Sequence, residues 1–565
     1  MLYSEFAKLY EKLESTSKRL EKTEILAEFL KKLKHVENKE VVYLLQGKVF
    51  PDYDERELGI SDQLTIKSLH KATGVSNEEI VKEWKKLGDL GTTAEKLIEK
   101  KKQSTLFSKK LTVEKVLENL KKLTEFTGAG TVEKKISLIA ELLTSASPSE
   151  AKYIVRTLLQ DLRVGIGTGT LRDAIVWSCF GKEDKEAIEK VQEAYDKATD
   201  FALVFDQSCK GLKNLKEVSL HPGKPIKVML FLKVNNIEEA FKAVGKPAAI
   251  EFKYDGFRML INKDEKGRIK IFTRRLVNVT LQFPEVKEYI EKYIHGKSFI
   301  LDGEAVGYNP KTHVYRPFQE ISQRIKRKYD IEKIQKELPV EVNVFDILYY
   351  NGKSLLQTPF KERRKILEKI IKEKKLHLVL AKQIITDKEE EVEKFYKQAL
   401  KEGEEGIMLK NLNAPYKPGA RVGYGIKLKP IVNEFDLVII KAEYGTGKRA
   451  GWLTSYTLAC RDKNKLLEIG KVSTGLKEKE EEGTSFIEIT KLLKPLIEKE
   501  EGREVYVKPK IVFTVTYQNI QKSPTYSSGF ALRFPRFTAL RPDKSISDIA
   551  NLSEIEREYK KNAIR

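Results

Sequence analysis

A lysine at a turn between two apolar segments is the first group in the chain that could do covalent chemistry. Segment 251–258, EFKYDGFR, ends one strand-like run, turns at Asp255 and Gly256 and starts another, which places Lys253 at a loop edge. To act as a nucleophile, this lysine must lose its proton, and burial or a cation such as Arg258 favours that loss. Taken alone, the K-x-D-G pattern favours an ordinary hairpin turn. The other motifs in the chain therefore decide whether Lys253 is a nucleophile.

Five further motifs follow within residues 251–429. They are FTRR at 272–275, LDGEAV at 301–306, VFD at 344–346, EEGIMLK at 404–410 and IKLK at 426–429. Singly, Phe345 would be a core residue, and Glu304 and Glu405 would be surface acids. Lys427 and Lys429 would form one face of an exposed strand. The ordered set outweighs these separate readings.

This series resembles the covalent nucleotidyltransferases, which comprise ATP-dependent DNA ligases, RNA ligases and messenger-RNA capping enzymes. Its order and spacing are most similar to those of the DNA ligases. The resemblance implies that Lys253 attacks the α-phosphate of ATP and that Glu251 and Phe345 hold the adenine. It also implies a lining for the ribose and phosphates made of Arg258, Arg274, Glu304, Arg421, Lys427 and Lys429. ADP or GTP remains open as an alternative nucleotide.

Metal and pyrophosphate contacts are also implied by the resemblance. Glu304 and Glu405 would bind Mg²⁺ or Mn²⁺. Arg541 and Lys544 match the last motif of the family and would orient the pyrophosphate leaving group; a plain basic tail is the less favoured alternative. Segments 442–451, 470–475, 523–526 and 532–537 look like the OB-fold of archaeal and eukaryotic DNA ligases, a barrel that commonly faces nucleic acid.

Two N-terminal segments, 43–51 and 159–167, resemble the helical DNA-binding domain of the same ligases. Arg163 and Gly165 would bring a side chain and backbone N–H groups to a DNA phosphate. The plain alternative is that the glycines of this loop only break a helix. Capping enzymes lack such a domain.

The chain departs from the family at two places. The family often has a tryptophan before the K-x-K motif, where this chain has Gly425, so one packing contact is absent or replaced. Thr514, Gln518 and Asn519 stand where related ligases carry acidic residues, so ionic contacts of the barrel are not carried over there.

Helical periodicity dominates residues 1 to about 215, including 113–123 and 186–199. Short strand patterns begin after residues 221–225. We therefore predict a multidomain α+β protein with a helical DNA-binding domain at 1–216, an α+β adenylation domain at 217–429 and a β-barrel OB-fold domain at 430–565. The strands are predicted at 248–252, 259–262, 269–273, 340–348, 437–442, 456–460 and 511–515.

Composition narrows the class of protein. The 565 residues carry a formal net charge of +22, which favours a nucleic-acid partner, although a lysine-rich solvated surface would look the same. No apolar run reaches the length of a membrane span, and the N-terminus does not look like a signal peptide. The three cysteines are far apart in sequence and predict neither a disulfide framework nor a zinc site. We expect a cytoplasmic, monomeric protein with the Lys- and Glu-rich composition of thermophiles.

The predicted function is ATP-dependent sealing of nicks in duplex DNA through a lysyl-AMP intermediate, in replication, repair and recombination. The alternatives are an RNA ligase or capping-type nucleotidyltransferase and a catalytically dead DNA-binding scaffold. A sliding clamp is a further expected partner, with residues 103–107, QSTLF, as a candidate docking peptide or a plain loop. The barrel domain is expected to move between the steps of the reaction.

Overall fold

The computed structural model describes residues 1–563 of the chain except residues 55, 101–109, 127, 129, 183, 317, 326–328, 430–433, 446–448, 450 and 479–482. The chain divides into two compact units. The first comprises Met1–Leu232, Ala240–Asp387 and Met408–Lys427, and the second comprises Lys233–Glu239, Lys388–Ile407 and Leu428–Arg565. Within the described ranges, no helix combines the length and the apolar character needed to cross a membrane.

Helices make up the regular structure of the N-terminal region. They are α1 Tyr3–Glu14, α2 Arg19–Leu33, α3 Asp62–Thr73, α4 Asn77–Leu87, α5 Leu90–Glu99, α6 Val113–Lys122, α7 Val132–Ser145, α8 Pro148–Leu158, α9 Thr168–Cys179, α10 Lys185–Ala198, α11 Phe201–Lys210 and α12 Leu212–Lys216, with a 3-10 helix at Lys39–Gln46. The predicted helices at 113–123 and 186–199 are confirmed to within one residue at each end.

Side-chain caps fix where several of these helices begin. The hydroxyls of Ser76 and Thr112 accept backbone N–H groups at the starts of α4 and α6, and Ser147 forms a capping box with Glu150 at the start of α8. The apolar faces of the helices then meet in one continuous core. The helical N-terminal region that the periodicity predicts is therefore confirmed.

Two β-sheets form the central region. Its elements are β1 Leu230–Val234, α13 Ile237–Val244, β2 Ala248–Lys253, β3 Phe257–Lys263, β4 Ile269–Thr273, α14 Pro284–Tyr293, β5 Phe299–Tyr308, β6 Tyr315–Arg316, α15 Phe318–Ile325, α16 Ile331–Glu337, β7 Val340–Tyr350, β8 Lys353–Ser354, α17 Phe360–Ile370, β9 Leu378–Leu380, β10 Gln383–Thr386, α18 Glu389–Lys401, β11 Gly406–Asn411 and β12 Arg421–Leu428.

The strand order places the motifs side by side. One sheet has the order β1-β12-β11-β2-β10, and the other has β4-β3-β5-β7-β8, with β6 paired to β5 and β9 paired to β7. In the antiparallel register, Arg258 on β3 lies opposite Glu304 on β5, and Glu251 on β2 lies opposite Gln383 on β10. Residues from distant motifs thus become neighbours through strand pairing.

Strands predominate again at the C-terminal end. The elements are β13 Glu434–Tyr444, β14 Leu453–Asp462, β15 Lys465–Val472, α19 Phe486–Leu493, β16 Ile497–Glu501, β17 Glu504–Val507, β18 Val512–Thr516, β19 Ile520–Lys522, β20 Phe530–Leu532, β21 Arg536–Leu540 and α20 Leu552–Ala563, with 3-10 helices at Lys494–Leu496 and Ile546–Asp548. The sheet order is β15-β14-β13-β17-β16; β18 pairs with β13 and β21, and β19 pairs with β20.

The predicted architecture is confirmed at the level of its three regions, which are helical, mixed and strand-rich in that order. Pairings within the described part of the C-terminal region do not close its sheet into a ring, so closure of an OB-type barrel stays a prediction. The boundaries at residues 216 and 429 also stay predictions.

Candidate active site

Lys253 is the last residue of β2, and the turn after it passes against β5. A Cβ atom at Gly256 would lie 2.3 Å from the carbonyl oxygen of Ala305, so only glycine fits there. On the other side of the turn, the backbone N–H of Lys382 donates to Tyr254 Oη at 2.9 Å. These contacts fix the turn that follows the half-buried Lys253 at the end of β2.

Glu251 lies two residues before Lys253, so the two side chains lie on the same face of β2. The carboxylate is buried and forms an ion pair with Lys410 Nζ at 2.6 Å. Gln383 Nε2 donates to its other oxygen at 2.7 Å. Lys410 Nζ also lies 4.6 Å from the centre of the Phe345 ring. An aromatic face and an anchored carboxylate therefore accompany the lysine.

Arg258 is held by a buried network. Its Nε donates to Asp302 Oδ1 at 2.8 Å, and its Nη1 donates to the carbonyl oxygen of Met229 at 2.8 Å. Tyr416 Oη donates to Asp302 Oδ2 at 2.8 Å and accepts the N–H of Met229 at 2.9 Å. The guanidinium group lies 5.5 Å from the Phe345 ring centre. The network fixes a cation beside the aromatic face.

Further cations gather around Arg258. Burial lowers the pKa of Arg274, and the positive charges of Arg258 and Arg421 lower it further. Glu304 opposes this effect on Arg274, as expected for a carboxylate on the strand position opposite Arg258. Mutual repulsion of this kind marks a place where an anion such as a phosphate would be stabilised.

The motif at 404–410 runs into β11, and the motif at 426–429 lies at the end of β12. Arg421 is the first residue of β12, and Lys427 lies next to its end. Lys429 follows and forms an ion pair with Glu405. A Cβ at Gly406 would lie 2.3 Å from the carbonyl oxygen of Leu428. Glycine at this position therefore brings the chain at Glu405 directly against the segment that carries Lys429.

Phe231 of β1 occupies the space beside Gly425. A Cβ atom at Gly425 would lie 2.6 Å from the Phe231 ring. A side chain at position 425 would therefore collide with this ring, and a tryptophan there would need Phe231 to move.

Arg541 and Lys544 follow β21 and both pair with Asp436. Arg541 Nη1 lies 3.5 Å from Asp436 Oδ2, and Lys544 Nζ binds the same oxygen. Thr514 also donates to Asp436, so this residue contacts the cluster in place of an acid. Burial acts to raise the pKa of Asp436, but Lys544, Thr514 and Arg541 outweigh it and lower the pKa.

The loop before α9 carries the predicted DNA contacts. Arg163 and Gly165 both have positive φ, 60° and 67°, and Arg163 Nε donates to Asp161 at 2.7 Å. The buried Lys22 Nζ binds the carbonyl oxygen of Val164 and lies 3.1 Å from where a Cβ of Gly165 would be. The loop is therefore held in a fixed shape.

Four residues of the site carry no role in the sequence prediction: Asp302, Gln383, Lys410 and Tyr416. Asp302 and Lys410 stand inside the motifs at 301–306 and 404–410, so those motifs were the available signal. Tyr416 stands outside the quoted motifs and is identified by its contacts with Asp302 and Met229. Gln383 stands outside every motif, and only the register of β10 against β2 identifies it. The clamp-docking segment 103–107 lies outside the described residues.

Two cysteines that are distant in sequence are neighbours in the helical region. Cys179, at the end of α9, and Cys209, in α11, share a thiol–thiol hydrogen bond, which lowers the pKa of Cys179 to about 7. Lys34 lies close by and donates to the carbonyl oxygen of Ser178 at 2.6 Å. All three cysteines are free thiols.

Comparison with known proteins shows the family to which this chain belongs. Family models match at three places: "DNA ligase N terminus" at residues 2–176, "ATP dependent DNA ligase domain" at 228–429 and "ATP dependent DNA ligase C terminal region" at 449–544. A DNA ligase of Nanoarchaeum equitans is 47% identical over 565 residues, covering 99% of this chain and 98% of the relative. The chain belongs to the ATP-dependent DNA ligase family.

A second relative supports the same family, and one solved structure is similar in fold. A DNA ligase of Thermococcus fumicolans is 43% identical over 99% of this chain and 98% of its own length. A solved structure entitled "Pmar-Lig_PreS3" is similar in fold, with a TM-score of 0.55, 17% identity, and coverage of 95% of this chain and 99% of that chain. The predicted family, enzyme class and dependence on ATP are confirmed.

Proposed function

We propose that this ATP-dependent DNA ligase seals nicks through Lys253. The observation that carries the proposal is the convergence at the end of β2 of one half-buried lysine, a carboxylate anchored on the same strand face and an arginine fixed by Asp302. A lysine can accept an adenylyl group only where the phosphate charge is stabilised and the base is held.

The reaction has three displacements at phosphorus. Lys253 Nζ forms a bond to the α-phosphorus of ATP, and the bond to pyrophosphate breaks while the lysine loses a proton. An oxygen of the 5′-phosphate at the nick then attacks the same phosphorus, and the P–N bond breaks. Finally the 3′-hydroxyl attacks the 5′-phosphorus, loses its proton and expels AMP. The strand is then continuous.

The remaining residues have roles that follow from their surroundings. Phe345 and Glu251 would hold the base, and Arg258, Arg274 and Arg421 would face the phosphates. Lys427 and Lys429 would stabilise charge at the α-phosphate.

Mg²⁺ or Mn²⁺ would be bound by Glu304 and Glu405, whose oxygens suit hard cations. In the described part of the chain, no group of three or more His, Cys, Asp or Glu side chains could hold a metal ion. Mg²⁺ commonly relies on one or two carboxylates and on substrate phosphates. When bound, the ion would neutralise phosphate charge.

The test is incubation with α-³²P-ATP and Mg²⁺ followed by denaturing electrophoresis. The wild type should become labelled, and Lys253→Ala should not. Lys270→Ala serves as the matched control because Lys270 is an exposed lysine on the neighbouring strand β4. A labelled Lys253→Ala variant, or a wild type that forms no adduct and seals no nick, would refute the proposal. Pyrophosphate pretreatment removes any adenylate carried through purification.

Arg541 and Lys544 would orient pyrophosphate in the first step. Their common pairing with Asp436 implies that this ion pair must open before they contact the leaving group. Lys544→Ala should slow labelling by ATP while leaving the sealing of a pre-adenylated nick largely intact. Equal losses in both assays would contradict this assignment and the predicted movement of the C-terminal domain.

Arg163 and Gly165 would contact a phosphate of the duplex, since the loop held by Lys22 ends at the N-terminus of α9. Comparing DNA with RNA nicks tests the RNA-joining alternative, and DNA binding without lysyl-AMP would indicate the inert scaffold. A sliding-clamp partner, a monomeric state and a cytoplasmic location complete the proposal, and the same labelling assay compares ADP and GTP with ATP.

A further inference from the structure

The Glu251 carboxylate is held at both of its oxygens. Lys410 Nζ lies 2.6 Å from Oε2, and Gln383 Nε2 donates to Oε1 at 2.7 Å. Glu251 is 2% exposed and Lys410 is 5% exposed, so the ion pair is shielded from water. We call these three side chains the carboxylate clamp. A charge-assisted pair in such a setting has little freedom to rotate.

Three neighbouring strands supply the carboxylate clamp. In the sheet order, β2 lies between β11, which carries Lys410, and β10, which carries Gln383. The β2–β10 register places Gln383 directly opposite Glu251. A carboxylate has no proton to donate, so the NH₂ group of Gln383 must be the end that faces it. The position of the amide is therefore set by chemistry as well as by the backbone.

The carboxylate clamp lies beside the aromatic ring of Phe345. Glu251 shares a strand face with Lys253, and Lys410 lies 4.6 Å from the Phe345 ring centre. If Lys253 is the nucleophile, as proposed above, a base stacked on Phe345 presents an edge to the Glu251 carboxylate. The clamp then decides which groups on that edge are accepted.

Adenine and guanine differ at that edge in the direction of hydrogen bonding. The 6-amino group of adenine donates, whereas the 6-oxo group of guanine accepts, and a carboxylate can only accept. A fixed carboxylate therefore attracts the first and repels the second. A site built for one hydrogen-bonding pattern rejects the analogue that leaves its polar groups unpaired.

We propose that Gln383 and Lys410 are positioning residues that make the enzyme selective for 6-aminopurine triphosphates over 6-oxopurine triphosphates, through Glu251. The inference rests on the proposed function of Lys253. Without the Gln383 contact, the carboxylate turns about Lys410 and no longer aims at the 6-position. Nucleotide choice should then weaken while adenylation itself continues.

The test compares labelling of the full-length enzyme by α-³²P-ATP and α-³²P-GTP for the wild type and Gln383→Met. The variant keeps the side-chain length and loses the donor. Because one hydrogen bond to a charged group is lost, the GTP-to-ATP ratio of kcat/KM should rise by about tenfold. Ile385→Thr is the matched control, since Ile385 is an exposed residue two positions along the same strand. Gln383→Lys, which restores a donor, should recover most of the selectivity.

A second measurement needs no variant. The wild type should use 2,6-diaminopurine triphosphate better than inosine triphosphate, since only the first has a 6-amino group. An unchanged GTP-to-ATP ratio in Gln383→Met, or preference for inosine triphosphate, would overturn the inference while leaving Lys253 as the nucleophile. If the wild type forms no adduct with any of these nucleotides, the proposed function fails and the inference with it.

Discussion

Tyr416 and Asp302 together hold the Arg258 side chain in place. Tyr416 Oη donates to Asp302 and accepts the backbone N–H of Met229, and both side chains are almost fully buried. Burial raises the pKa of Tyr416, and the charge of Asp302 raises it further, so the phenol stays protonated and remains a donor.

Tyr416→Phe should therefore lower the free energy of unfolding by about 1–3 kcal/mol, because the Met229 N–H loses its acceptor inside the protein. Urea denaturation measures this loss, with Tyr329→Phe as the control, since Tyr329 is 80% exposed. Asp302→Asn should cost more, because it leaves the Arg258 charge without its partner. Equal stability of Tyr416→Phe and the wild type would contradict the network.

The thiol pair of Cys179 and Cys209 gives a pH-dependent prediction. The hydrogen bond from Cys209 lowers the pKa of Cys179 to about 7, whereas burial raises the pKa of Cys460 to about 12. The thiolate is the reactive form, so alkylation of Cys179 should rise as pH increases through about 7. Cys209→Ala removes the donor and should move this midpoint to higher pH.

Iodoacetamide labelling followed by peptide mass spectrometry distinguishes the three cysteines. Cys460 serves as the internal control and should stay unlabelled in the folded protein at neutral pH. A midpoint that is the same with and without Cys209 would show that the two thiols do not share a proton. Nick sealing should be unaffected, because neither thiol belongs to the proposed site.

At the scale of elements, strand patterns were readable from the sequence because side chains alternate with a period of two. Strand β4 begins and ends as predicted, and β2 extends only one residue beyond 252. Register was not readable in this way. The opposition of Gln383 to Glu251 depends on how β10 aligns with β2, and that alignment leaves no motif in the chain.

The same limit applies to contacts between distant elements. Tyr416 meets Asp302 across 114 residues, and Cys179 meets Cys209 through the packing of two helices. The motifs predicted a role for the lysine, its carboxylate and its arginine, because those residue types are needed for the chemistry. The motifs did not identify the side chains that hold these three residues. Many residue types can fill such supporting positions with equivalent packing.

One such packing contact joins strands β1 and β12. The Phe231 ring fills the space that a side chain at Gly425 would need, with 2.6 Å between them. Gly425→Ala should therefore destabilise the protein by about 1–3 kcal/mol through overpacking. Gly423→Ala is the control, because a Cβ there would lie an ordinary 3.8 Å from the nearest atom.

A double variant tests whether Phe231 takes the place of a tryptophan at position 425. Phe231→Ala alone leaves a cavity and should also destabilise, whereas Phe231→Ala with Gly425→Trp should recover part of the loss, since the tryptophan then occupies the vacated space. Thermal unfolding of the two single variants and the double variant gives the coupling. Strictly additive losses would mean that Phe231 does not substitute for the tryptophan.

At the scale of the whole molecule, the net charge of +22 predicts that DNA binding depends more strongly on salt than adenylation does. Binding of nicked duplex releases counterions, so a protein that neutralises 6–10 phosphates loses roughly 10³–10⁵ in affinity between 50 and 200 mM salt. The reaction of Lys253 with ATP involves one small ligand in a fixed pocket. Its rate should change by less than about threefold over the same range, because few counterions are released.

Fluorescence anisotropy of a labelled nicked duplex and α-³²P-ATP labelling, each measured across the salt series, provide the comparison. A blunt duplex of equal length is the control for binding that is independent of the nick, and it should show a similar slope at lower affinity. If binding were as insensitive to salt as adenylation, the excess positive charge would be a solvated surface that the DNA does not contact. A steep slope for binding alone would instead show that the basic residues hold the DNA while the pocket at the end of β2 performs the chemistry.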